Sequence, residues 1–418
     1  MIMLSVTLRS LVLSALAVTS LALPSNLSSP LPPSQDAWYT APSGFEQASP
    51  GDVLRLRQAP GNLTGIYNES AAVYNILYRS TDSKFEPAWD VTTLFVPKRT
   101  KGSALLSYQI PYNTAYLDGS PSYALNSPSF SSGHVLSDIQ TALSMGAFVV
   151  VPDHEGPLAA FPLGVQEGHA VLDSVRAVLR TGFGLAEDAR YALWGYSGGS
   201  IASEWAAELQ QQYAPELDFA GAAIGGVVSN VTALIDQSAN TWWAGLVPAG
   251  LLGATAPYPA AREYIMSQLR SNGTHNETAF DTAESLTSTQ AVGLFAGQDI
   301  WTYFKDGKDV LQAPILRSIL NSNGYMGYHG IPQMPLFVYK AIADELTPIA
   351  DTDKLVQSYC DVGVNVVYKR NTVGGHLAAQ TNGRSQAWNF LKSVLTGSYE
   401  PEGCIVENVA WNVTSSML

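Results

Sequence analysis

Positive charge is scarce in this chain. Of 418 residues only 22 are Lys or Arg, against 35 Asp or Glu, so the formal net charge is −13. A nucleic-acid partner is not expected, because neutralising phosphates takes clustered Lys and Arg, and none cluster here. Cysteine is nearly missing as well, with Cys360 and Cys404 the only two. The six histidines nowhere take the two-histidine spacing of a zinc site; no metal and no cofactor are expected. Long apolar runs are confined to the first residues, so nothing later reads as a membrane span.

That N-terminal segment, 1–22, has one basic residue, Arg9, an apolar block at 11–18 and the small-x-small sequence Ser20-Leu21-Ala22. This is the pattern of a secretory signal peptide. The block is too short to cross a bilayer, and the Ser-Pro-rich stretch 25–34 follows directly, so a transmembrane anchor is not expected. Seven N-x-S/T sequons follow, at Asn26, Asn62, Asn68, Asn230, Asn272, Asn276 and Asn412, as in a glycosylated extracellular protein. In an oxidising compartment an isolated cysteine pair forms one disulfide, which here staples the C-terminal tail to the core. Low charge with many aromatics suits apolar ligands.

Short β-type runs occur at 73–79, 91–96, 104–110 and 147–151, then at 191–194, 219–224, 336–339 and 364–368. Val165, Leu172, Val175 and Leu179 fall at helical spacing between two of them, and 201–211 reads as a second helix. Alternation of this kind predicts an α/β fold whose sheet begins with hairpins and becomes parallel, with its site at the carboxyl ends of the strands. Segment 231–330 breaks the alternation and reads as an inserted helical cap. The expected organisation is therefore 1–22 signal peptide, 23–230 first part of the core, 231–330 cap, and 331–418 second part of the core.

Between strand 191–194 and helix 201–211 stands Gly195-Tyr196-Ser197-Gly198-Gly199. A G-x-S-x-G sequence in this context is the nucleophile elbow of an α/β-hydrolase, where a sharp turn exposes the serine hydroxyl. Serine needs a histidine to take its proton, and on this fold the order is serine, acid, histidine. His134, His154 and His169 precede the serine. His275 lies inside a double sequon and His329 in a Gly-Tyr-rich linker, which leaves His376, after the last strand and next to Gly374-Gly375, a flexible loop able to aim the ring. The acid belongs after strand 336–339; Asp344 is preferred to its neighbour Glu345, while Asp351 and Asp353 read as capping or solvating the helix that Pro348 begins. For the oxyanion, the N–H of Gly198 is one expected donor and Asn113, by side chain or backbone, the other. Asp153-His154-Glu155-Gly156 reads as polar support near the site.

Together with Ser120-Pro121-Ser122-Tyr123, Tyr213-Ala214-Pro215-Glu216-Leu217 and the stretch from Asp344 to His376, these motifs resemble the fungal secretory lipase family over most of the chain. The resemblance implies an α/β-hydrolase core with a helical cap, the Ser197, Asp344 and His376 triad, a Cys360 to Cys404 disulfide and hydrolysis of acyl esters. Two departures stand out: Asn113 where such lipases often have aspartate, and Gly119 where they often have a further cysteine. The expected function is a secreted serine ester hydrolase, a triacylglycerol lipase with transient contact to a lipid interface. The alternative is an esterase deacetylating a trichothecene-type metabolite, with a serine peptidase or a non-catalytic binding relic behind. The partner is a small-molecule or lipid ester, and a monomer is expected.

Overall fold

The apolar runs become one ten-stranded sheet in the computed structural model, which describes residues 29–128, 130 and 133–413. The segment 1–22 and Asn26 lie outside the described residues. In chain order the strands are β1 (Val53–Gln58), β2 (Ser70–Thr81), β3 (Pro87–Pro97), β4 (Ala104–Gln109), β5 (Phe148–Pro152), β6 (Arg190–Tyr196), β7 (Phe219–Gly225), β8 (Leu336–Ala341), β9 (Val366–Asn371) and β10 (Cys404–Val409). In space they run β1-β2-β3-β5-β4-β6-β7-β8-β9-β10. Pairing is antiparallel from β1 to β5 along that order and parallel from β5 to β10. The expected switch from hairpin to parallel sheet is therefore present.

Burial explains the residue choice. β5, Phe-Val-Val-Val-Pro, is buried throughout, because a central parallel strand has helices on both faces. The edge strands β1 and β10 are largely exposed or half-buried and carry the polar residues. On one face pack the helices Gly164–Leu179 and Gly198–Tyr213, whose Val171, Val175, Ile201 and Trp205 enter the main core; on the other lie Gly133–Ser144 and His376–Thr396, contributing Ile139, Trp388 and Leu391.

Between β7 and β8 the chain is helical, with helices Val231–Ser238, Leu246–Thr255, Pro259–Gln268, Ser288–Phe295 and Pro314–Asn323 among its elements. This segment builds a hydrophobic cluster of its own around Val247, Leu251, Phe280, Phe295, Tyr303 and Phe304, to which the core lends Ala160 and Leu163. Its return to the sheet is tied down by Glu208 of the helix Gly198–Tyr213, whose carboxylate accepts from the N–H groups of Gly327 and His329.

The C-terminal tail differs from expectation. It adds β10 beside β9, and the Cys360 to Cys404 disulfide, with Cα atoms 5.5 Å apart, joins the start of that strand to the helix Ile349–Asp361. The run Cys404-Ile405-Val406-Glu407-Asn408-Val409 does alternate weakly, but its charged Glu407 and short length hide it.

Candidate active site

Ser197 follows the last residue of β6 and caps the helix Gly198–Tyr213, with φ 55° and ψ −125°. A non-glycine residue in this region carries strain on the order of 1–3 kcal/mol, held by the elements on either side. The flanking glycines are there for space. A Cβ on Gly195 would lie 2.0 Å from the Gly199 carbonyl oxygen, and one on Gly199 would lie 2.2 Å from that of Gln109 on β4. Close approach of strand, turn and helix therefore dictates the G-x-S-x-G spacing.

The other expected residues arrive from the neighbouring strand ends. His376 Nε2 lies 2.7 Å from Ser197 Oγ, and its Nδ1 lies 2.8 Å from Asp344 Oδ2. Both side chains of the His376–Asp344 pair are buried. Asp344 Oδ1 accepts from the N–H groups of Leu346 at 3.0 Å and Thr347 at 2.9 Å. Burial pushes this carboxyl up, but the hydrogen bond from His376 and the charge of Lys340 outweigh it and hold Asp344 well below the usual carboxylate range. It is ionised at any working pH.

Glu345 does not compete for the ring. Its Oε2 accepts from the backbone N–H of His376 at 2.8 Å instead. Asp351 accepts from Asn230 at 3.3 Å, and Asp353 pairs with Arg370 at 3.0 Å, both away from the imidazole. The histidine itself corrects one reading. His376 opens the 21-residue helix His376–Thr396 rather than riding a flexible loop, and Tyr196 donates to its carbonyl at 2.5 Å. Gly375 as the N-cap was the legible signal, obscured by its neighbour Gly374.

Asn113 lies against the elbow with a left-handed φ of 42°. A Cβ on Gly198 would come within 1.8 Å of its Oδ1, so a larger residue there would displace the Asn113 amide. Gly198 begins a helix, and its N–H is among the amides that a helix leaves unpaired. The Asn113 Oδ1 is buried without a hydrogen-bond partner.

The polar motif at 153–155 grips this same loop. His154 Nε2 lies 3.1 Å from the Ile110 carbonyl oxygen, Glu155 donates its N–H to the Tyr112 hydroxyl at 2.5 Å, and Glu155 Oε2 accepts from Thr114 at 3.3 Å. The reading of this motif as polar support is thereby given a target. From the inserted segment, Leu286 accepts from the Thr114 hydroxyl at 2.7 Å, and the Trp243 ring stands 6.3 Å from that of His376.

A sequence model described as secretory lipase matches residues 129–403. The chain belongs to the secretory lipase family. It is similar to a trichothecene C-3 esterase of Fusarium sporotrichioides, at 48% identity over 94% of this chain and 91% of that protein. It is also similar to lipase A of Arthroderma benhamiae, at 36% identity over 93% of this chain and 85% of the relative. Among solved structures, Candida antarctica lipase A in its closed state matches with a TM-score of 0.85 and 27% identity, covering 92% of this chain and 91% of that one. As a secretory lipase family member it has the α/β-hydrolase fold and is a carboxylic-ester hydrolase, as the sequence leads one to expect. Among the described residues no helix is long and apolar enough to cross a membrane.

Proposed function

We propose that Ser197, His376 and Asp344 form the catalytic triad of an esterase that removes a short acyl group from a trichothecene-like secondary metabolite. Ser197 Oγ attacks the ester carbonyl as His376 Nε2 takes its proton, and the imidazolium then gives that proton to the departing alcohol. Water repeats the sequence on the acyl-enzyme, with His376 again the base, and releases the acid. Asp344 holds the ring and stabilises its charged form. The oxyanion is received by the Gly198 N–H and by Asn113, through its backbone N–H or with its amide turned so that Nδ2 faces the new charge.

The chemistry rests on the continuous hydrogen-bond chain of 2.7 and 2.8 Å through His376. The substrate class rests on a contrast: 48% identity to the trichothecene C-3 esterase against 36% to the Arthroderma benhamiae lipase, over nearly the same length. A second reading, hydrolysis of long-chain triacylglycerol at a lipid interface, has its own support. Trp242 and Leu294 of the inserted segment are 66% and 51% exposed, as a lipid-touching cap would present them.

The same reading makes segment 231–330 a cap over the site and places the enzyme outside the cell as a monomer. Exposed Asn62, Asn68, Asn272 and Asn412 suit glycans; Asn230 and Asn276 instead cap helices through their side chains. An acyl-length series discriminates the substrates. An acetylated trichothecene should be deacetylated efficiently while emulsified long-chain triacylglycerol is left nearly untouched. The reverse ranking would hand the enzyme to the lipase reading, and Ser197→Ala hydrolysing either one undiminished would remove the triad.

A further inference from the structure

Lys340, on β8, is fully buried. Its Nζ lies 3.0 Å from Asp344 Oδ2, donates to the Val227 carbonyl at 2.9 Å and also to Thr347 Oγ1. Thr347 directs its own hydroxyl hydrogen at the Val227 carbonyl, 3.3 Å away, so its oxygen is free to accept. Three acceptors thus meet the three N–H bonds of an ammonium; a neutral amine has two and would set a lone pair against the third acceptor. Burial lowers the pKa of the Lys340 ammonium and outweighs the opposing pull of Asp344, and behind it of Asp351 and Asp353; the three acceptors are what argue for the charged form.

The oxygen that Lys340 holds is the one that accepts from His376 Nδ1. Around the imidazole stand Asp344 at Nδ1, Ser197 at Nε2 and the Glu345 carboxylate on the backbone N–H. The Tyr196 ring is 5.5 Å away, and the Trp243 ring faces it from the inserted segment. Both carboxylates favour the imidazolium, and Lys340 opposes them. At longer range, Arg370 offsets Asp353, and Asn230 donates to Asp351.

We propose that Lys340 is a positioning residue that tunes the base: its charge, seated on the Asp344 oxygen shared with His376, disfavours the imidazolium and keeps the ring able to accept the Ser197 proton at acidic pH. This rests on the triad reading above.

The test is the pH dependence of kcat/KM on a soluble p-nitrophenyl acetate-type ester for the wild type and for Lys340→Met, which keeps the length of the side chain without its charge. The acid limb should move up in pH in the variant. An unmoved limb in a folded variant overturns the inference, since a merely structural role would lower the rate or the Tm and leave the limb in place. If Lys340→Met does not fold by near-UV circular dichroism, Lys340→Gln, uncharged but still able to hydrogen-bond, is compared with the wild type in its place, and the same two outcomes decide. Ser197→Ala, assayed beside them, separates the two failures. Hydrolysis surviving that variant removes the triad itself, whereas its loss together with an unmoved limb removes only the role of Lys340.

Discussion

At the residue scale, each triad side chain is constrained twice, once by chemistry and once by its support. Asp344 accepts two backbone N–H groups on one oxygen and faces His376 and Lys340 with the other. Asp344→Asn keeps the shape but loses the charge that steadies the imidazolium, so kcat should fall by roughly 10³–10⁴-fold with KM little changed. Steady-state kinetics on a short ester measure this directly. Asn113 carries a different expectation. If its amide receives the oxyanion, Asn113→Ala should cost about 10²-fold in kcat, while a loss confined to KM would assign it to substrate binding instead. The meeting of Ser197, His376 and Asp344 was legible because serine, acid and histidine stand in fold order at strand ends. Lys340 was not, since a lysine inside a strand reads as a solvent-facing residue until its neighbours fill the space around it.

At the element scale, strand and helix positions followed from apolar runs, while ends and edges did not. β6 and the helix Gly198–Tyr213 were plain because one is continuously apolar and the other has helical spacing behind a glycine turn. β10 was invisible because half of an edge strand faces water and reads as loop. The grip of His154 and Glu155 on the 110–114 loop escaped for another reason: the partners are some forty residues apart, and no local pattern reports such a meeting. The disulfide belongs to this scale. It closes a separation of 44 residues and ties the otherwise exposed β10 to the helix Ile349–Asp361. Replacing both cysteines by serine should cost roughly 3–4 kcal/mol, read as an earlier midpoint in urea, with the active site intact. An unchanged midpoint would mean that β10 holds through its backbone pairing with β9 alone.

At the scale of the whole molecule, the buried carboxyls give stability a direction with pH. Burial pushes Asp153 up to about 7 and Asp173 up to about 6, and also raises Asp90 and Glu155 well above the ordinary carboxyl range. A carboxyl raised by folding binds its proton more tightly in the native state. Its contribution is fully present below the unfolded value near 4 and is lost as pH rises through the folded one. His169, pushed down by burial to about 4, works the other way and loses its contribution as pH falls below about 6.5. The carboxyls outnumber it, so the Tm should be higher at pH 5.5 than at pH 8 by differential scanning fluorimetry. Asp153→Asn, which retains both contacts to Ser122, should flatten that slope. A slope of the opposite sign would mean that these carboxyls are solvated in solution.

The proposed chemistry turns on one atom, Ser197 Oγ. Treating the purified enzyme with a fluorophosphonate and mapping the adduct by peptide mass spectrometry tests it most directly. A single covalent label is expected on the peptide carrying Ser197, formed in step with loss of ester hydrolysis and absent in His376→Ala. Hydrolysis that survives full labelling of Ser197, or that is lost through a label elsewhere while Ser197 stays free, would contradict it.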